Sequence, residues 1–483
     1  MRHAARTFCA AFVVVCMAGA GVVLAMSGAA LVVQAAQATG QSPSAAPDVF
    51  AFVRALDEAA ARGVWPGFNP SGIPVALYDG EHTMLLRHPS PPPEFSPMAG
   101  RQGVFLAKGR HPAVTSNSTR EIGGVRTATV IATPAQPVER TMLAVVEEVF
   151  HVFWLARHPS FRPNEMARYA YPLDDVENLG RLVAEDEALA RALEAQRIDD
   201  AAGWAADALA IRRERVPGLA EDVRAYETSL EMMEGTANYV ARVSVGEPAS
   251  RTAERLRAPR PAEDVRWRFY DTGAALCLLL DRLSAGWQER SDRQPALTVV
   301  ELMDEALRGR DAAADAFSSA DTAGFQARAA AGIADLGVRR QRLLVELRER
   351  QGGRVVIEVM PGAEPFRVQR FDPINLMVLD AGAIAHANYL SLSVPQGSVE
   401  LTNPGFVRGS FGGTVSVTED AGRHPLSDGI RRLTIAGLQG VPTVGGDEGT
   451  VKVEAPGVRL MLRGAEAHVD GALIRVVVRR PRP

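Results

Sequence analysis

Three polar residues, Glu147, Glu148 and His151, interrupt the apolar segment TMLAVVEEVFHVFWLARHP that runs from Thr141 to Pro159. The apolar residues recur at helical spacing, which predicts a mostly buried helix that ends before the proline. Polar side chains among valines and phenylalanines cost free energy unless they are paired or bind a metal. Residues 147 and 151 lie one turn apart on one face, so both can bind one ion, while Glu148 can take a proton from bound water. The alternative is a solvated helix edge with a hydrogen-bonded core histidine.

Two later segments carry further candidate groups. The first, YETSLEMMEGTANYV, runs from Tyr226 to Val240 and places Glu231 and Glu234 on one helical face. The second, RFYDTGAALCLLLDRL, runs from Arg268 to Leu283 and carries Tyr270 near its start. Taken singly, these residues also fit a charged helix face and a core aromatic.

In this order the three segments resemble the gluzincins, the thermolysin-like and aminopeptidase-like metallopeptidases, over roughly residues 63 to 310. In that family one helix carries H-E-x-x-H, a later helix donates a third ligand from an E-G-x-A string, and a Y-x-K-G-A segment supplies a tyrosine. The resemblance implies that Glu147, His151 and Glu234 bind a metal. It also implies that Glu148 is the general base and that Tyr270 donates a hydrogen bond to the oxyanion.

Two positions depart from the family pattern. Glu147 replaces the first histidine, and Thr272 replaces the lysine of the tyrosine segment. Two carboxylates and one imidazole neutralise the charge of a divalent ion and therefore weaken its activation of water. Zn accepts carboxylate ligands and is the expected ion, and Mn or Fe(II) are the alternatives because they favour oxygen ligands. We expect the side-chain amide of Asn238, four residues after Glu234, to donate a hydrogen bond to Glu147. We expect Glu231 to lie in the outer shell, that is, among the residues that contact the metal ligands without binding the ion.

The segment before the metal-binding helix limits the substrate. Aminopeptidases of this family hold the substrate amine with the glutamate of a G-x-M-E-N string, whereas the stretch from Gly123 to Ile131 reads GGVRTATVI and has no acidic residue. The resemblance therefore implies an endopeptidase-like cleft for a peptide or protein substrate. Two alternatives stay open, namely a pseudopeptidase that binds peptides or proteins without catalysis and an envelope protein whose C-terminal β domain is the working part.

The texture of the sequence predicts an α+β fold in successive segments. We expect residues 39–140 to hold a linker, a helix and a small β-rich subdomain, with strands near 75–78, 104–108 and 127–132. Residues 141–350 have sparse prolines and helical periodicity, which predicts a helical, zincin-like domain. Residues 352–483 alternate in short runs and predict an antiparallel, sandwich-like β domain.

The first 38 residues predict export. Basic residues precede an apolar run from Phe8 to Val33, which is the layout of a signal peptide cleaved after Ala38 or of an uncleaved membrane anchor. We therefore expect a periplasmic or secreted protein, with a membrane tether if the segment is retained. A formal net charge of -4 without a block of like charges argues against nucleic-acid binding. The sequence indicates no oligomeric state.

Overall fold

The computed structural model describes residues 54, 56–58, 62–132, 137–309, 317–380, 382–403, 415–419, 424–446 and 449–480. The predicted signal peptide or anchor lies outside these residues. Within the described part, none of the helices combines the length and the apolar character that a transmembrane span needs. The α+β prediction is confirmed, with a β region at the N-terminal end, helices in the middle and largely antiparallel sheets at the C-terminal end.

The N-terminal β region is one six-stranded sheet. Its strands are β1 (Val75–Tyr78), β2 (His82–Leu86), β3 (Ser96–Pro97), β4 (Val104–Lys108), β5 (Ser118–Ile122) and β6 (Val125–Ile131), in the order β3-β4-β2-β1-β6-β5. The three predicted strands are β1, β4 and β6. Within this sheet β1 and β6 pair in parallel, and the other neighbouring strands are antiparallel. Alternate residues of β1 face opposite sides: Val75 and Leu77 join the core shared with the helices, while Ala76 packs in a smaller cluster on the other face.

The middle of the chain is helical. The helices are α1 (Val138–Trp154), α2 (Val176–Glu194), α3 (Ile198–Arg215), α4 (Glu221–Leu230), α5 (Thr236–Ser244), α6 (Ala249–Arg257), α7 (Val265–Leu283), α8 (Trp287–Arg293), α9 (Val299–Ala306) and α10 (Ser319–Glu349). A π-helical segment, Glu231–Gly235, joins α4 to α5 without a break. Helix α1 packs between β6 and α5, which explains why its sequence is apolar on most of its circumference.

The C-terminal strands form two packed sheets. They are β7 (Gly353–Val359), β8 (Arg367–Phe371), β9 (Leu376–Asp380), β10 (Ala383–His386), β11 (Tyr389–Val394), β12 (Gly397–Thr402), β13 (Val415–Glu419), β14 (Arg432–Leu438), β15 (Thr443–Gly445), β16 (Thr450–Ala455), β17 (Val458–Arg463), β18 (Ala465–Asp470) and β19 (Leu473–Val478), with a short helix α11 (Pro425–Asp428) before β14. One sheet has the order β18-β19-β7-β14-β13-β10-β9 and the other β15-β16-β17-β12-β11-β8. Alternate buried residues of both sheets share one core, as in a sandwich.

One strand pair departs from the antiparallel prediction. The first and last strands of this region, β7 and β19, lie side by side and run parallel, from the pair Leu473 and Arg354 to the pair Val478 and Val359. The other neighbouring strands of both sheets are antiparallel. A local hairpin signal cannot reveal this pair, because strands separated by more than 100 residues are joined only by tertiary folding.

Candidate metal centre

Helix α1 presents the first three candidate residues. Glu148 and His151 are buried, and Glu147 is half-buried. The predicted i and i+4 relation holds, because Glu147 and His151 lie on the face of α1 that looks towards the π-helical segment. Glu148 is the next residue along the helix and is not a member of the group that converges on a common point.

Two glycines bring the remaining motifs against each other. A Cβ atom added to Gly235 would lie 2.6 Å from the Cα atom of Gly273, and one added to Gly273 would lie 2.6 Å from the carbonyl oxygen of Glu231. The π-helical segment and α7 therefore touch backbone to backbone, which only glycine at both positions permits. Glu234 lies within this π-helical segment, and π turns are frequent at functional sites.

The predicted metal ligands converge. Glu147, His151 and Glu234 each offer one ligand atom, and these atoms lie within 4.8 Å of one another. His151 Nε2 is 3.1 Å from Glu234 Oε2, although 83 residues separate the two along the chain. Two carboxylates and an imidazole within this range are a donor set that one divalent ion accepts. The residues present therefore fit a metal ion.

The hydrogen bond between His151 and Glu234 governs the electrostatics. Burial alone would lower the pKa of His151, but the hydrogen bond and the charge of Glu234 outweigh it and raise that pKa to about 9. Burial would raise the pKa of Glu234, but the hydrogen bond from His151 and the charge of Arg266 lower it to about 2. Loss of solvation, with the charge of Glu234, raises the pKa of Glu147 to about 7. Loss of solvation raises the pKa of Glu148 to about 8.

Arg266 on α7 is a site residue that the motifs did not indicate. Its Nη2 donates to Glu234 Oε1 at 3.0 Å and to Glu165 Oε1 at 2.9 Å, and its Nη1 donates to the hydroxyl of Tyr270. The guanidinium thus ties the predicted oxyanion donor to the predicted third ligand. Burial raises the pKa of Tyr270 well above its usual value, so the phenol keeps its proton.

The two residues predicted for the outer shell have other hydrogen-bond partners. Glu231 accepts two hydrogen bonds from Arg212, at 2.6 and 2.5 Å, and one from the hydroxyl of Thr272 at 2.6 Å. Thr272, which stands where the family has lysine, therefore fixes Glu231. Among the described residues no hydrogen bond joins Asn238 to Glu147; the Oδ1 atom of Asn238 accepts one from Nε of Arg242 instead.

A buried ion-pair network supports the π-helical segment from behind. Arg212 bridges Glu231 to Glu185, with its Nε 2.7 Å from Glu185 Oε1. Arg215 donates two hydrogen bonds of 2.8 Å to Glu227, and further pairs join Arg268 to the α2 carboxylates. Removing one member would leave a buried charge unpaired, so the network fixes the position of α4 and of the segment that follows it.

One buried atom at the centre lacks a partner. His151 Nδ1 is buried and has no hydrogen-bond partner among the described residues. Ligand histidines in metal sites normally donate this second N–H to a carboxylate or a carbonyl, which raises their affinity for the ion. Among the described residues, the imidazole is therefore oriented through its Nε2 atom and by packing.

Comparison of the chain with protein-family models, with curated proteins and with solved structures gave no match. The resemblance to gluzincins accordingly rests on the three motifs and on their order along the chain.

Sequence reasoning missed Arg266 and Glu165, and their signals differ. Arg266 lies four residues before Tyr270 on a largely apolar helix, so the rule that buried charges need partners could have indicated it. Glu165 lies in a short connection rich in proline and has no such signal. Its role comes only from the tertiary contact with α7.

Proposed function

We propose that the chain is a metal-dependent peptidase of the gluzincin type, with Glu147, His151 and Glu234 as the metal ligands. The observation that carries the proposal is the convergence of these three groups from two distant segments. A divalent ion bound there would lower the pKa of a water molecule and polarise a peptide carbonyl. Zinc is the first candidate, and Mn or Fe(II) are alternatives because two of the three ligands are oxygens.

Glu148 is the proposed proton carrier. It neighbours Glu147 on α1, yet it is not part of the ligand group, so its carboxyl group is free of a ligand role. Its raised pKa of about 8 lies near physiological pH. A group with such a pKa can both accept a proton and return it during one reaction cycle.

Tyr270 is the proposed donor to the oxyanion. Its hydroxyl oxygen accepts a hydrogen bond from Arg266, so the hydroxyl proton remains available for a second partner. A phenol oriented in this way can donate to a carbonyl oxygen as it gains negative charge. The proposed substrate is an internal peptide bond of a peptide or protein, because β6 carries no acidic residue to hold a free amine.

The proposed location is outside the cytoplasm. It follows from the basic start of the chain and the long apolar run after it, which are typical of a signal peptide or a membrane anchor.

A pseudopeptidase that binds peptides in the same cleft is the second candidate. Arg266 already pairs with Glu234, and a protonated His151 pairs with the other oxygen of that carboxylate. The charges of the centre are therefore compensated without an ion. The unpartnered Nδ1 atom of His151 also favours weak metal binding.

Metal analysis and peptide hydrolysis test the proposal. The mature chain should bind one Zn or Mn ion per molecule and cleave internally quenched peptides. Glu148→Gln should keep the metal and lose about 10²- to 10⁴-fold in turnover, the usual contribution of a general base. Glu139→Gln changes an exposed glutamate of the same helix and should leave both properties unchanged. A folded protein that binds no metal and cleaves no peptide would contradict the proposal and favour the pseudopeptidase.

A further inference from the structure

A 3₁₀-helical segment, Glu165–Ala170, contacts both the candidate metal centre and the C-terminal β domain. Two of its buried side chains, Met166 and Tyr169, belong to the core of the β sandwich. The ring of Tyr169 packs with its centre 5.2 Å from that of Phe371 and 6.1 Å from that of His386. The segment precedes α2 in the chain, yet Met166 and Tyr169 pack in the core of the β domain, while Ala167 packs with the helices.

Arg168 joins the same segment to its neighbours through two hydrogen bonds. Its Nη1 donates to the carbonyl of Pro373, in the loop between β8 and β9, and its Nη2 donates to the carbonyl of Glu263 at 2.8 Å, just before α7. The side chain is buried, so both hydrogen bonds replace water that the guanidinium has lost. The segment is therefore fixed relative to the β domain and to the start of α7.

Glu165 extends from this segment towards the candidate metal centre. Its Oε1 accepts from Arg266 Nη2 at 2.9 Å, and its Oε2 accepts from the hydroxyl of Tyr226 at 3.0 Å. The same Nη2 atom of Arg266 donates to Glu234 Oε1 at 3.0 Å. A continuous set of contacts thus joins the β-domain core to the third proposed metal ligand.

We propose that the C-terminal β domain is a working part of the metal centre, because it holds Glu165 in place as the counter-ion of Arg266. Arg266 orients Glu234 through one carboxylate oxygen and leaves the other oxygen towards His151. Without Glu165, the charge of the guanidinium would be uncompensated on that side and would repel a cation. Glu165 and Arg266 are positioning residues, and their effect on metal binding rests on the proposed function.

A double-mutant cycle on zinc binding tests whether Glu165 acts on the metal ligands through Arg266. Calorimetric titration of wild type, Glu165→Gln, Arg266→Gln and the double variant should show that Glu165→Gln weakens zinc binding at least about tenfold, the lower end of outer-shell effects. In the Arg266→Gln background the same change should cost less than about threefold, because Glu165 acts through Arg266. Glu177→Gln, at an exposed ion pair on α2, is the control that should change nothing. Unchanged zinc binding in Glu165→Gln, or fully additive effects, would overturn the inference.

Hydrogen exchange tests the mechanical coupling without a metal. Tyr169→Ala should speed amide exchange in residues 165–170, in the π-helical segment and at the start of α7, whereas Val453→Ala, in the same core but on β16, should affect only the β domain. Met166→Ala is a smaller change at the same anchor and serves if Tyr169→Ala does not fold. Unchanged exchange near Glu234 in the folded anchor variant overturns the coupling even if zinc binds. Wild type that binds none of Zn, Mn and Fe(II) refutes the proposed function instead, and the exchange data then decide the coupling alone.

Discussion

Metal binding at the candidate centre should release protons, because two of the three proposed ligands carry protons in the metal-free protein. The charge and hydrogen bond of Glu234 raise the pKa of His151 to about 9, against the opposing effect of burial. Loss of solvation raises the pKa of Glu147 to about 7, although the positive charges of Arg242 and Arg266 act in the opposite direction. Both groups must be deprotonated to bind an ion.

The number of protons released follows from these two values. At pH 7 His151 is almost fully protonated and Glu147 is about half protonated, so one ion should displace roughly 1.5 protons. At pH 9 the same reasoning gives roughly 0.5 protons. The apparent affinity for the metal should therefore rise by about tenfold per pH unit between pH 7 and pH 9.

Calorimetric titration measures this release directly. Zn or Mn is titrated at pH 7 and pH 8 in two buffers with different ionisation enthalpies, and the difference in observed heat gives the number of protons. His151→Gln removes the larger source of protons, so it should bind the metal more weakly and release fewer protons than the wild type at pH 7. Wild-type binding with equal affinity at both pH values and no buffer dependence would show that His151 and Glu147 are not the ligands.

Four further outcomes follow from the same contacts. Glu147→His should raise the zinc affinity at least about tenfold in a calorimetric titration, since imidazole suits zinc better than a second carboxylate, and peptide hydrolysis should rise with it. A lower zinc affinity would show that metal binding depends on the glutamate. Tyr270→Phe should reduce the rate of peptide cleavage about 10²-fold and leave metal affinity unchanged, as expected for loss of one oxyanion donor, and an unchanged rate would reduce the tyrosine to a packing role. Gly273→Ala should lower the free energy of unfolding by about 3 kcal/mol or more in denaturant titrations, because the added Cβ atom would lie 2.6 Å from a backbone atom. The control Gly203→Ala has open space around its Cβ atom and should be neutral or stabilising. The metal-free protein should be more stable at pH 6 than at pH 9, because the pKa of His151 is raised in the folded state. The resulting stabilisation is complete below pH 6.5 and is lost as the pH rises through about 9. A His151→Gln variant whose stability has the same pH profile would contradict this.

Much of the candidate centre could be predicted because its residues obey local rules. The spacing of Glu147 and His151 fixes them on one helical face, and the burial of that helix follows from its apolar residues. The convergence with Glu234 was predicted from the order of motifs in the resembling family, and the structure confirms it. The alternation of short apolar runs likewise predicted the β regions at both ends of the chain.

Only the tertiary structure decided which charged groups pair. Glu231 and Glu234 lie one turn apart in the same motif, yet one binds Arg212 and the other pairs with His151 and Arg266. Spacing along a helix states which residues share a face, but the partner of a buried carboxylate depends on which other helices pack there. The link from the β domain through Glu165 to Arg266 spans 101 residues and has no local signature, because it exists only where two separately encoded surfaces meet.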